Sequence, residues 1–340
     1  MASMMALSLT ACGGNGSSAT TAADTSAADT KAEGTTAAAP ADKIGLAGSG
    51  KELIFTTGGD QGTYYGFGSV LAGQISDMTD TTVTAIVGKG SKGNIEAMDA
   101  GDAQLGFVQS DVMAYAYNGT NLFDGAKVDG FSTVAALYME QVQIVTLNPD
   151  IKTVADLKGK TVSVGDSGSG VYFNALDCLG AYGLTIDDIT PTYQSFGDSV
   201  EAMQDGKIDA AFIVAGAPTT AVTSLAATRK VYLVELDDEH IDKLIEASPY
   251  YSKYTIAKDA YGLDADATTV AVGAVVVARD DADENDIYNV VAGIYDSIDT
   301  LGHDKKNELD LDFAASVTAV PYHKGAAKYF AEKGLTVPTK

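Results

Sequence analysis

An apolar, strand-like run that stops in a glycine-rich turn and restarts as a helix occurs three times in this chain, and this repetition sharply limits the folds open to it. The first instance is Leu53–Phe55, the turn around Gly58, Gly59 and Gly62, and a helix from Thr63. The second is Thr82–Val87, the turn Gly88–Gly93 and a helix Asn94–Ala100. The third is Thr161–Val164, the turn Gly165–Gly170 and a helix Val171–Tyr182. Glycine lets the backbone bend sharply and come close to a ligand. The helix that follows directs its free N–H groups, and the positive end of its dipole, into the turn, which suits an anionic group. Strands alternating with helices at this spacing build a parallel sheet with covered faces, and ligands of such sheets lie at the carboxyl ends of the strands. The expected class is α/β.

The segments Gly101–Asp111 (GDAQLGFVQSD) and Gly206–Gly216 (GKIDAAFIVAG) share one grammar: glycine, acid, apolar strand, small polar loop. In a chain of 340 residues this implies two related α/β lobes. Two longer apolar runs, Ser132–Leu147 and Thr268–Ala278, are the expected crossings between them. Lobe one then comprises residues 50–144 with 272–340, and lobe two residues 145–271. Asp111 is placed to cap a helix Val112–Tyr117, and a further helix is expected over Val200–Gln204.

The N-terminus points to export. Met4–Leu9 is a short apolar run, and Leu9-Thr10-Ala11-Cys12-Gly13 resembles a bacterial lipobox, in which Cys12 carries the lipid. The run is too short to span a membrane. Residues 13–49 are almost all small and polar, too poor in large apolar groups to form a core, and read as a flexible tether. The expectation is an extracytoplasmic protein, periplasmic or held at the outer face of the cytoplasmic membrane by one lipid.

Composition and motifs exclude several functions. A net charge of −24, with Arg229 and Arg279 the only arginines, leaves no basic stripe for nucleic acid. The same charge gives no steering of anions. Gly88–Gly93 matches a dinucleotide fingerprint, but Gln109 stands where the acid belongs. Gly159-Lys160-Thr161 lacks the earlier glycine of a phosphate loop, Val154 being there. Asp281–Asn285 begins like a calcium loop and then has Asp286 and Ala292 in place of the glycine and glutamate. His240, His303 and His323 stand apart from any nucleophile or metal-ligand spacing, and Cys12 and Cys178 are too separate to pair. No catalysis, cofactor or metal is expected. Tyr64, Tyr65, Tyr138 and Tyr172 are candidates to wall an apolar pocket, Tyr64 and Tyr172 foremost because each lies just inside a helix start.

Taken in order, several motifs are similar to those of the TAXI group of TRAP-transporter solute receptors: Thr57-Gly58-Gly59 with Gly62-Thr63-Tyr64-Tyr65, Gly90-Ser91 with Asn94, Val108-Gln109-Ser110-Asp111, Asp156-Leu157-Lys158-Gly159-Lys160, Gly168-Ser169-Gly170, Asp209-Ala210 with Ala215-Gly216-Ala217-Pro218, and His323–Tyr329 (HKGAAKY). The resemblance spans about Leu53 to Leu335. It implies a type II periplasmic-binding-protein fold, two α/β lobes closing on a ligand, in a monomer that delivers its solute to a TRAP permease. The implied ligand is a small acid or amino acid of the glutamate, glutamine or 2-oxoglutarate kind. A stand-alone ligand-sensing lipoprotein on the same fold is the alternative.

Carried over by motif, lobe one contributes Thr57, Gly58, Gly59, Thr63, Tyr64, Ser91, Asn94 and Gln109 to the cleft. Lobe two contributes Ser167, Ser169, Gly170, Val171, Ala215 and Gly216, with Tyr172 as a wall. The second turn departs from the family pattern, carrying Lys92 and Gly93 where an apolar residue and an acid are usual, with Lys89 close by. With no arginine in these turns, backbone N–H groups, hydroxyls and amides are left to hold the ligand.

Overall fold

The computed structural model describes residues 43–340. Cys12, the expected lipidation site, and the tether as far as residue 42 lie outside the described residues. Among the described residues, ten strands form one mixed sheet: β1 Glu52–Thr56, β2 Thr82–Ile86, β3 Leu105–Gln109, β4 Phe131–Thr146, β5 Thr161–Ser163, β6 Thr190–Thr192, β7 Ala210–Ala215, β8 Tyr232–Leu233, β9 Ser252–Ile256 and β10 Ala267–Arg279. The order is β2-β1-β3-β10-β4-β7-β5-β6, with β8 on β4 and β9 on β10. At one end β1 runs parallel to β2 and β3. At the other, β5 runs parallel to β6 and β7. Between them β10 lies antiparallel to β3 and β4, and β4 antiparallel to β7. The helices used below are α1 Thr63–Met78, α2 Ser91–Asp99, α3 Ser110–Asn118, α4 Val171–Ala181 and α5 Phe196–Gln204.

The two long apolar runs are β4 and β10, and they join the halves of the sheet. In β4 every residue but Met139 is buried, because both faces are covered. Its first half feeds two cores. Val134, Leu137 and Tyr138 pack with Phe67 and Leu71 of α1; Ala136, on the opposite face, packs with Val112 and Met113 of α3. Its second half feeds two others. Val142 and Ile144 pack with Leu179 of α4 and Phe212 of β7, and Val145 packs with Ile213 and Leu225. Glu140 and Gln141, both buried, sit where the strand leaves one pair of cores for the other.

Three local expectations are corrected. Residues 44–49, expected in the tether, are tied to the body: Leu46 N–H donates to Asn289 Oδ1 at 2.7 Å and Ser49 N–H to Asp286 Oδ1 at 3.1 Å. Helix α5 begins at Phe196 and not at Val200, because Ser195 Oγ accepts the Asp198 N–H at 3.1 Å and caps it. Asp111 does not cap α3. It lies in the first turn, fully buried, and accepts from Asn174 Nδ2 at 2.9 Å.

Candidate functional site

The turns that follow β1, β2, β5 and β6 gather at the carboxyl ends of their strands, together with the ends of β3 and β7. With Glu140 of β4 they enclose a cavity that leaves the centre of a water molecule about 70 Å³ to move in. One water takes about 10–15 Å³ on that measure, so the space suits a solute of a few heavy atoms. The starts of α1, α2, α4 and α5 all border it. In α1, α2 and α4 no side chain caps the N-terminus and no acid stands in the first turn. Positive dipole ends therefore face the space with backbone donors left over, the Gly93 N–H of α2 excepted because the Gly168 carbonyl takes it.

Two glycines show why these turns need that residue. Gly90, at the start of α2, has φ +85°, a backbone state that costs other L-residues strain. Gly170 has an ordinary φ of −69°, and its requirement is space: a Cβ there would lie 1.7 Å from Gln109 Oε1 and 2.7 Å from Ser91 Oγ.

The polar interior is specific. The Tyr64 hydroxyl donates to Glu140 Oε2 at 2.7 Å. Burial pushes the Glu140 carboxyl up to about 8, with the charge of Asp111 adding to the rise, and burial also raises Tyr64. Gln109 Nε2 donates to Asn174 Oδ1 at 3.0 Å, and its backbone N–H donates to Ser91 Oγ at 3.1 Å. Its Oε1 has no partner, and neither has Ser169 Oγ. Among the described residues no group of His, Cys, Asp and Glu is arranged to hold a metal ion. None of the three histidines borders the cavity: His303 and His323 cap short helical segments, and His240 lies 2.7 Å from Asp237. Cys178 is buried and free.

Of the residues expected at the site, Gly58, Gly59, Thr63, Tyr64, Ser91 and Gln109 line the cavity from one side, and Ser169, Gly170, Val171 and Ala215 from the other. Five do not. Asn94 spends its side chain on structure: Nδ2 donates to the carbonyls of Thr57 at 2.5 Å and Phe107 at 2.7 Å, and Oδ1 accepts from Thr56 at 2.9 Å. Thr57 is buried, with its hydroxyl on the Ile86 carbonyl at 2.7 Å. Ser167 points to solvent. Tyr172 packs beside Tyr193, ring centroids 5.7 Å apart. The Gly216 carbonyl is taken by Thr63 and Thr219 hydroxyls. Lys89 borders the cavity from an exposed position, whereas Lys92 pairs with Glu96. Glu140 and the Gln194–Gly197 turn were not expected at all. Glu140 reads as a polar break in an apolar strand, and the second turn has a single glycine to mark it.

The sequence pattern of the NMT1-like family matches residues 55–334. The chain belongs to the NMT1-like family. This overturns the resemblance to TAXI receptors of TRAP transporters, whose marks, glycine turns opening into helices, are needed by any cleft of this geometry. The NMT1-like chain is 43% identical over 70 residues to the putative aliphatic sulfonates-binding protein of Escherichia coli K12, a stretch that is 21% of this chain and 22% of that protein. Among solved structures it is similar to a protein of Bordetella bronchiseptica RB50, with a TM-score of 0.50 at 18% identity over 83% of this chain and 82% of the other. It is also similar to the alkanesulfonate-binding protein SsuA from Xanthomonas axonopodis pv. citri bound to MOPS, with a TM-score of 0.48 at 17% identity over 82% and 83% of the two chains. Identities this low speak to fold alone, and the fold of this NMT1-like chain is that of the periplasmic-binding proteins, as expected.

Proposed function

We propose that this protein is an extracytoplasmic solute-binding receptor that captures a small organic anion in its cleft and presents it to membrane subunits of the ABC type, with no bond broken. The observation that carries the reading is the convergence of three uncapped helix N-termini on one small cavity. Membership of the NMT1-like family and the sulfonate-binding relative support it. The lobes are assigned as residues 50–144 with 272–340, and 145–271, closing on the ligand between them. Among the described residues no helix is long and apolar enough to cross a membrane. Attachment through a lipid on Cys12 belongs to the same proposal, and a Cys12→Ser variant that stays in the membrane fraction of the native host contradicts it.

The test is a thermal-shift screen of small sulfonates, phosphonates and carboxylates. A ligand that binds only the native state raises Tm increasingly with its concentration. At least one compound is expected to do so; a screen in which none does, at millimolar concentration, contradicts the reading.

A further inference from the structure

Glu140 is the one acidic side chain in the cavity wall that is withdrawn from solvent, 2% exposed. The titratable groups that face it are Tyr64 from α1, Tyr138 from its own strand, Asp111 from α3, and Lys305 from the turn Asp304–Glu308. Lys305 is committed elsewhere: its ammonium donates to the Ala217 carbonyl at 3.0 Å and pairs with Glu308. Tyr64 satisfies one Glu140 oxygen; the other has no hydrogen-bond partner among the described residues. A carboxyl so withdrawn from water, with one oxygen left to accept, favours a bound donor.

Gln109 supplies an independent sign. Its amide is oriented by a chain of donors: Asn174 Nδ2 donates to Asp111 Oδ2 at 2.9 Å and to the Tyr251 hydroxyl at 2.8 Å, and that hydroxyl donates onward to Asp177 at 2.8 Å. Asn174 Oδ1 is therefore the acceptor for Gln109 Nε2, and Gln109 Oε1 is left as an acceptor, 2% exposed as a residue and without a partner. The register sets Gln109 opposite Ala274 and Ala274 opposite Tyr138, so Glu140 lies two strands away and two residues along, on the wall of the same small cavity. One side of the space thus offers backbone donors and another offers acceptors with nothing to accept. An ammonium group, with three donors and a positive charge, matches the second side.

We propose that Glu140 and Gln109 seat an ammonium group, so that the solute of this cleft is a small zwitterion whose anionic end lies on the helix N-termini. This rests on the anion seat argued above and adds to it the chemistry of the other end. Binding an ammonium to the Glu140 carboxylate displaces its proton at neutral pH, since burial holds that proton up to about 8. Affinity for the zwitterion then rises with pH between 6 and 8 and levels off above.

The experiment is calorimetry on matched pairs that differ by the amino group: 2-aminoethanesulfonate with ethanesulfonate, 3-aminopropanoate with propanoate, and 2-aminoethylphosphonate with ethylphosphonate. In at least one pair the amino member is expected to bind tenfold or more tighter, with the pH rise just described. Glu140→Gln, which keeps an acceptor for Tyr64, is expected to abolish both the preference and the rise. Because the pH profile is read on the unaltered protein, a variant that fails to fold leaves the test intact. Deaminated members that bind as tightly as their partners, or an affinity that falls from pH 6 to 8, overturn the ammonium seat and leave the anion seat standing. A panel in which neither member of any pair binds overturns both.

Discussion

The backbone N–H of Gly93 donates to the carbonyl of Gly168 at 2.9 Å, joining the second glycine turn to the third. Two more bonds do similar work. The Ala221 N–H donates to the Gln61 carbonyl at 3.2 Å, and Thr63 Oγ1 donates to the Gly216 carbonyl at 3.0 Å. In each case the partners sit on opposite halves of the sheet. On the proposed reading, a solute that touches both sides favours the arrangement in which these bonds are made.

Thr63→Val removes one of these bonds with little change of shape. The expected result is a loss of ligand affinity of about 2–13-fold, the worth of roughly 0.5–1.5 kcal/mol for one hydrogen bond. Calorimetry measures it, and unchanged affinity argues that closure does not depend on this contact.

Asn94 and Ser169 separate structure from binding. Asn94→Ala strands two buried carbonyls and a hydroxyl, and is expected to lower stability by about 2–4 kcal/mol. Ser169→Ala removes a hydroxyl that has no protein partner, and is expected to leave stability nearly unaltered while weakening ligand binding. Denaturant titration of both variants decides the first point and calorimetry the second.

The buried carboxyl of Glu140 couples folding to pH. Its proton is held up to about 8 in the folded chain against 4.5 for a free glutamate side chain, so between those values the folded state binds more protons than the unfolded. Stability without ligand therefore falls as pH rises from about 4.5 to about 8. Asp111, raised to about 7, acts in the same direction. Glu140→Gln removes its share of the slope: variant and unaltered protein should match near pH 4.5, and the variant should be the more stable at pH 8.5. Parallel denaturation curves across that range contradict the assignment.

What the sequence disclosed follows from how local each feature is. The glycine turns, their helices and the two crossing strands are written in consecutive residues, so β4 and β10 were placed to within a residue or so at each end. Ten cavity residues followed from the same turns and the ends of β3 and β7. Glu140 was hidden because its burial depends on β4 passing from one pair of cores to the other, a fact of tertiary structure. Asn94 was misassigned for the converse reason. It sits one turn into α2, a position that serves a ligand or the neighbouring strands equally well until the carbonyls of Thr57 and Phe107 are seen to occupy it. The transporter class was misread because glycine turns and helix starts describe the cleft and not the membrane partner.

The claim on which the account rests is that the cavity at Gly170 is where the solute sits. The backbone there is helical, so Gly170→Ala adds no torsional strain, yet its methyl must displace the Gln109 carbonyl and the Ser91 hydroxyl from the wall. Calorimetry with the strongest ligand of the thermal-shift screen tests this directly. The account predicts at least tenfold weaker binding to a variant whose circular dichroism is unaltered; equal affinity in variant and unaltered protein would place the solute somewhere else.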